Sequence, residues 1–177
     1  LEGNGMRKFM MQLKPTSLSE LTAGISLYRP GPMEYIPQYL KGKANPSEVI
    51  YACDKLEPIL KETYGVITYQ EQVIRIFNEL AGYSAGRSDI VRRAISKKKS
   101  DVMEKERYNF IYGIPEEGVP GCIGNGISES VSSYIYDTMI DFARYAFNKS
   151  HGLCYATISY QTAWLKYHYP LEFYTAL

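Results

Sequence analysis

Cysteine, histidine and tryptophan are scarce in these 177 residues, at three, two and one, respectively. Cys53, Cys122 and Cys154 stand far apart, odd in number and outside any CxxC or Cys/His spacing. That pattern implies neither a disulfide framework nor a zinc site, and it fits reduced thiols in the cytoplasm. No apolar run reaches the roughly 18 residues a membrane-spanning helix needs, and no leader pattern is present, so no membrane partner is expected. The formal net charge is only +1, so composition by itself announces no nucleic-acid partner. A Walker A loop is missing too, because GCIGNG carries no following Lys-Ser/Thr. The chain begins without Met at LEGNGMRKF and stops at FYTAL inside a helical pattern, so it reads as a piece of something longer.

What is present fits one folded domain. The hydrophobic fraction is 45% and the charged fraction 22%, enough to build a core at this length. Tyrosine is abundant, 17 against 6 Phe, which predicts many rings with a polar end. Residues 6–28 read as a short helix, a Pro-Thr-Ser break and a second helix capped near Thr16 or Ser17, with Glu20 in place for a capping box. YRPGPM predicts an ordered, non-helical turn. A short helical segment over 34–47 gives way to a KGKANPS loop, and LEPILKETYG reads as a helix ended by Gly65. GVITYQ is the one strand-like run. It leads into a helix whose apolar residues, Val73, Ile76, Phe77 and Leu80, repeat at helical spacing until Gly82 breaks it. A further helix covers about 84–98, a charged segment follows at 103–112, and two long helices end the chain. The expected fold is therefore mainly α with at most a trace of β. Its parts are 1–112, a Gly/Pro/Ser-rich loop at 113–130, and 131–177 with two long helices around FNKSH.

Three chemistries compete for the candidate residues. Nucleophilic catalysis is disfavoured, because Ser150 and His151 are neighbours whose side chains diverge by about 100° on a helix start, and nothing marks an oxyanion site. Metal chemistry has Asp137 and Asp141 on one helix face, but a solvated face with Arg144 as ion-pair partner explains them as well. Charge is the signal that stands out. Arg87 to Arg107 holds eight basic residues against four acids, and no acid lies between Asp141 and Glu172. Cations near a helix C-terminus gain about 0.3–1 kcal/mol from the macrodipole, which accounts for Lys97, Lys98 and Lys99 but not for Arg92 and Arg93. Asp89 can pair with Arg93, which leaves Arg92 for phosphate oxygens. Ser150 is expected to cap the last long helix, with Lys149 beside it, in a phosphate-binding arrangement. His151, Tyr155, Ser159, Thr162 and Lys166 would share its polar face, and Leu153, Tyr160, Trp164 and Tyr167 would face the core.

SLYRPGPM, LEPILKETYGVITYQEQV, AGYSAGRSDIVRRAISKKK and FNKSHGLCYATISYQTAWLKYHYPLEF together resemble consecutive motifs of the bacterial replicative DNA polymerase III alpha subunits, the C family of DNA polymerases. The resemblance covers nearly the whole chain, with small departures at Ala52-Cys53-Asp54-Lys55, Ala146 and Gly152-Leu153-Cys154. It implies part of a multi-helix fingers domain, lacking palm, thumb and clamp-binding regions. It also implies that the two Mg²⁺ ions of the reaction are bound by palm carboxylates outside this piece, so this chain alone would hold none and be inactive. Arg92 and Arg93 match arginines that reach the dNTP triphosphate. Asn148, Lys149, Ser150, His151 and Tyr155 match the nascent base-pair pocket. Lys97, Lys98, Lys99 and Arg87 are expected on primer–template DNA, and other replicase subunits are expected partners of the intact protein. The alternative is a non-enzymatic helical module that binds nucleic acid or an acidic protein. Whether Tyr69, Gln70, Glu71 and Gln72 touch DNA or only support the helix behind them stays open at this level.

Overall fold

The computed structural model describes residues 1–177 except Glu2, Lys97, Lys98, Lys99 and Arg144, with backbone alone for Ser96, Ser100 and Asp101. Eleven α-helices are found among the described residues: α1 (Asn4–Leu13), α2 (Leu18–Leu27), α3 (Ile36–Ala44), α4 (Glu57–Leu60), α5 (Gln70–Ala81), α6 (Ala85–Ser96), α7 (Ser100–Tyr112), α8 (Gly121–Gly124), α9 (Glu129–Ala143), α10 (Lys149–His168) and α11 (Pro170–Thr175). No sheet forms among them, so the mainly α expectation holds; the β content is two isolated bridges, Tyr69 with Phe147 and Ile114 with Val119.

Helix α5 is the centre. Val73, Ile76, Phe77 and Leu80 are each 0% exposed, as their spacing requires, and Gly82 ends the helix in the left-handed region at φ 80°. Around Phe77 the rings of Tyr83, Phe110 and Tyr136 gather at centroid distances of 5.3, 5.3 and 6.3 Å, two of them edge-on, as ring quadrupoles favour. Helices α6, α7, α8 and α9 pack around this cluster. A second cluster joins α1, α2 and α3 through Phe9, Leu13, Ala23, Leu27 and Tyr39. Val66 and Tyr69 belong to the second cluster and Ile67 to the first, so the extended run between α4 and α5 stitches the two cores.

Several sequence expectations change. GVITYQ is extended but pairs at one residue only, because its neighbour Phe147 leads directly into a helix instead of a strand. YRPGPM does turn sharply, with Gly31 at φ 96°, but Pro32–Tyr35 then winds into a 3₁₀ turn, since proline is tolerated at a first helical position. Lys41–Ala44 of the supposed KGKANPS loop continue α3. The helix expected over LEPILKETYG is broken, residues 54–63 forming 3₁₀, α and 3₁₀ pieces, and Tyr64 (φ 51°) enters the left-handed region before Gly65 does. The charged segment at 103–112 is the helix α7, whose inner face carries Glu106, Asn109, Phe110 and Ile111. The Gly/Pro/Ser-rich loop is no loose linker: Val119, Cys122 and Ile127 are buried in the main core. Gly113 and Gly121, both at positive φ, bring their backbones so close that a Cβ on either would collide.

Ser17 caps α2 as expected, its hydroxyl accepting the Glu20 N–H at 3.2 Å. The Glu20 carboxylate reaches one residue further back than a capping box requires and accepts the Thr16 N–H at 2.7 Å. It also accepts Lys43 Nζ at 2.6 Å and Tyr64 Oη at 2.7 Å, so one carboxylate ties α2 to α3 and to the turn before Gly65. Burial works to raise its pKa, but Lys43, the Thr16 backbone and Tyr64 together outweigh it and lower the value from 4.5 to about 2. A depressed folded-state pKa contributes stability that is present above 4.5 and lost as the pH falls towards 2. Denaturant unfolding of the wild type should therefore weaken across that window, and Glu20→Gln should abolish this component while lowering stability at neutral pH. Identical pH profiles for the two proteins would remove Glu20 from this role.

Candidate nucleotide-contact site

The loop before α10 is mounted on residues 68–72. Gln70 N donates to Phe147 O at 2.9 Å, and Phe147 N donates to Thr68 O at 3.0 Å. The Gln70 side chain adds a bond to Ala146 O at 3.2 Å. Gln72 is 3% exposed and fully engaged. Its Oε1 accepts Thr68 N (2.8 Å) and Tyr69 N (2.9 Å), and its Nε2 donates to Ile59 O (3.2 Å) and Thr63 Oγ1 (2.8 Å). Tyr69 is fully buried. The stretch Tyr69–Gln72, whose role the sequence leaves open, is thus a bracket for the FNKSH segment.

Asn148, not Ser150, is the N-cap of α10: its side-chain oxygen accepts the His151 N–H at 2.9 Å. Asparagine does this at least as well as serine. The anion expected at this helix start is supplied by the protein itself. Glu71 accepts the Lys149 N–H at 3.1 and 3.2 Å and Asn148 Nδ2 at 3.2 Å. Lys149 Nζ lies 2.7 Å from Glu62 and 5.5 Å from the centre of the Tyr69 ring. Past the cap, Phe147, His151 and Tyr155 stand in a row, with centroids 5.5 and 4.7 Å apart. Asn148, Ser150, His151 and Tyr155 are exposed and Lys149 half-buried, so the structure brings these five predicted residues together at one end of α10.

The opposite face of α10 is not the one expected. Leu153, Tyr160, Trp164 and Tyr167 are 42, 59, 43 and 79% exposed. Gly152 and Ala156 are the buried residues, against α2. A Cβ on Gly152 would lie 3.0 Å from Ser26 Oγ and 3.1 Å from Thr22 Cγ2, so the helices approach too closely for large side chains. Cys154 is exposed, whereas burial pushes the Cys122 thiol up to about 12.

Arg92 and Arg93 sit on α6, which packs on α5, α7 and α9, whereas α10 packs on α2 and α11. Asp89 holds both. Arg92 donates through Nε and Nη2 at 3.0 and 2.8 Å, and Arg93 through Nη2 at 2.7 Å. Arg92 is therefore engaged, contrary to the expectation that Asp89 would pair with Arg93 alone; its side chain is 12% exposed and that of Arg93 67%. The hydrogen bond from Arg92 is the main reason the Asp89 carboxyl is held below its usual range. Arg87 meets Glu106 at 3.0 Å and Glu117 at 2.7 Å and lies over Tyr83, so its guanidinium braces α6 against α7 and the turn at 115–117. Lys97, Lys98 and Lys99 lie outside the described residues. So does Arg144, the expected partner of Asp141. Asp137 is taken by Arg107 at 3.0 and 3.1 Å. Among the described residues no three His, Cys, Asp or Glu side chains gather where a metal could bind. A cleft of about 240 Å³ opens between Tyr35, Tyr51, Tyr134 and Phe142, and no predicted contact residue lines it.

One consequence can be measured directly. Glu71→Ala removes the acceptor of the Lys149 amide, and a lost cap costs about 0.5–2 kcal/mol. Hydrogen exchange at that amide should quicken by roughly tenfold, while amides in the middle of α5 keep their protection. Unchanged exchange at Lys149 would show that Glu71 does not hold the loop.

A family model described as "Bacterial DNA polymerase III alpha subunit finger domain" matches residues 1–118. Proteins named DNA polymerase III subunit alpha resemble the rest as well. Those of Halalkalibacterium halodurans, Staphylococcus epidermidis and Thermus aquaticus are each 45% identical, over 177, 174 and 182 residues. The matches take in 100, 98 and 100% of this chain, which spans only 15, 16 and 14% of those relatives. No helix among the described residues is long and apolar enough to cross a membrane. The chain belongs to the finger-domain family of the bacterial DNA polymerase III alpha subunits.

Proposed function

We propose that this chain forms part of the fingers of a bacterial replicative DNA polymerase, where it holds the triphosphate of an incoming dNTP and contacts the nascent base pair and the primer–template. The observation that carries the reading is the similarity to DNA polymerase III alpha subunits over the full 177 residues. In the reaction the primer 3′-hydroxyl attacks the α-phosphate of the dNTP and pyrophosphate leaves. Fixed cations lower the barrier most where negative charge grows on the leaving group. Arg93 suits that task, with a two-thirds exposed guanidinium already oriented by Asp89. Arg92, more enclosed, supports it through the same carboxylate. At the other cluster, the exposed rings of His151 and Tyr155 offer stacking faces to a base, while Asn148 and Ser150 offer hydrogen bonds to base or sugar.

Arg87, committed to two carboxylates, is assigned a bracing role in place of a DNA contact. Lys97, Lys98 and Lys99 keep the proposed contact with DNA backbone, on the strength of their sequence alone. Among the described residues no cluster of carboxylates fits the Mg²⁺ ions that the resemblance implies, and Asp137 is committed to Arg107. No step is routed through them, and the chain on its own is proposed to be inactive. A cytoplasmic setting alongside other replicase subunits completes the reading.

Arg93→Ala, introduced into the full-length polymerase, should raise the dNTP KM or depress kcat by at least about tenfold, roughly the 1.4 kcal/mol of one charge-assisted contact. Primer extension at the unaltered rate and KM would sink the assignment.

A further inference from the structure

The cations around the start of α10 are not equivalent. Lys149 Nζ is held by Glu62 and the Lys149 amide by Glu71. Arg29 differs. It is exposed, and among the described residues no carboxylate lies within ion-pair distance of it. Its guanidinium lies 5.2 Å from the centre of the Phe147 ring, the residue immediately before the cap of α10. The row of rings therefore begins with a cation: Arg29, then Phe147, His151 and Tyr155.

Arg29 reaches that position through a built turn. Gly31 adopts φ 96°, and a Cβ there would meet the Tyr145 ring at 2.7 to 3.0 Å. Only glycine lets the turn sit on the segment that leads into Phe147. Pro30 and Pro32 restrict the backbone on either side, and the Arg29 carbonyl accepts the Met33 N–H at 3.1 Å. A rigid turn thus carries an arginine across 118 positions of sequence, from 29 to 147, and lays it on an aromatic face. The ring stabilises the plane of the guanidinium but satisfies none of its five N–H donors, whose fork matches phosphate oxygens.

We infer that, if the chain serves a polymerase as proposed above, Arg29 is a phosphate-binding residue of the α10 site, taking an oxygen of the incoming triphosphate or of the DNA backbone. With Lys149 and its amide committed to carboxylates, Arg29 is, among the described residues, the cation at this site that meets a phosphate without first leaving a carboxylate.

The test uses the full-length polymerase with Arg29→Gln, Arg29→Lys and, as a reference for the nucleotide site, Arg93→Gln. Single-nucleotide incorporation gives KM and kcat, and fluorescence anisotropy over a salt series gives primer–template affinity. For a nucleotide phosphate, Arg29→Gln raises the dNTP KM about tenfold with DNA affinity unchanged, and Arg29→Lys raises it less. For a DNA phosphate, KM stays constant, while affinity falls and the salt slope shrinks by about one. A fall in kcat alone, shared by Arg29→Lys, reports lost packing on Phe147 and overturns the inference. No change in Arg29→Gln alongside a raised KM in Arg93→Gln overturns it too, leaving the polymerase reading intact. No change in any of the three variants overturns both.

Discussion

The buried amide of Gln72 is the interaction on which the rest depends. It supplies an acceptor to the N–H groups of Thr68 and Tyr69, and two donors to the turns that carry Ile59 and Thr63. A buried N–H without a partner costs about 1–3 kcal/mol, so an extended run through the centre of an otherwise helical protein needs such a side chain. With those groups satisfied, the outward edge of residues 68–70 is left to pair with Phe147. Through that pairing the two cores, the bracket and the loop before α10 keep one fixed relation.

Much of this architecture is visible in the sequence, because it rests on local periodicity. Val73, Ile76, Phe77 and Leu80 spell out α5, and Gly82 and Ser17 mark ends where backbone chemistry demands them. The face of α10 is not visible in the same way. Large rings suggest a core, yet α10 meets α2 through Gly152 and Ala156, where closeness of approach outweighs hydrophobic bulk. Helix α7 is hard to recognise for a related reason: Glu106 and Asn109 occupy its inner face, Asn109 donating to Glu106, and Glu106 accepting from Tyr83 and Arg87, partners that only the fold supplies. Partnerships across long separations, such as Arg29 with Phe147 or Glu71 with Lys149, leave no trace in spacing. At the candidate site the sequence names the loop before α10 but not the acids that hold it.

Those acids give the site a common electrostatic design. Asp89 holds Arg92 and Arg93, Glu62 holds Lys149, and Glu71 holds the first N–H of α10. Each keeps a donor ordered that would otherwise sample many rotamers, which lowers the entropy lost when a ligand is engaged. Each also repels an arriving phosphate, so the net gain depends on how far the carboxylate swings aside. Neighbouring donors can therefore differ sharply in how readily they take a new anion, although all carry the same formal charge.

The outer half of α10 has a practical consequence of another kind. Trp164 is the chain's sole tryptophan, and it stands 43% exposed on that helix, 4.5 Å from the His168 ring. Intrinsic indole emission therefore comes from this projecting segment alone. When another surface covers the segment, the spectrum should move to shorter wavelength, while rearrangements confined to the Phe77 core leave it unaltered. The protein carries its own optical reporter for a helix whose aromatic face looks outward.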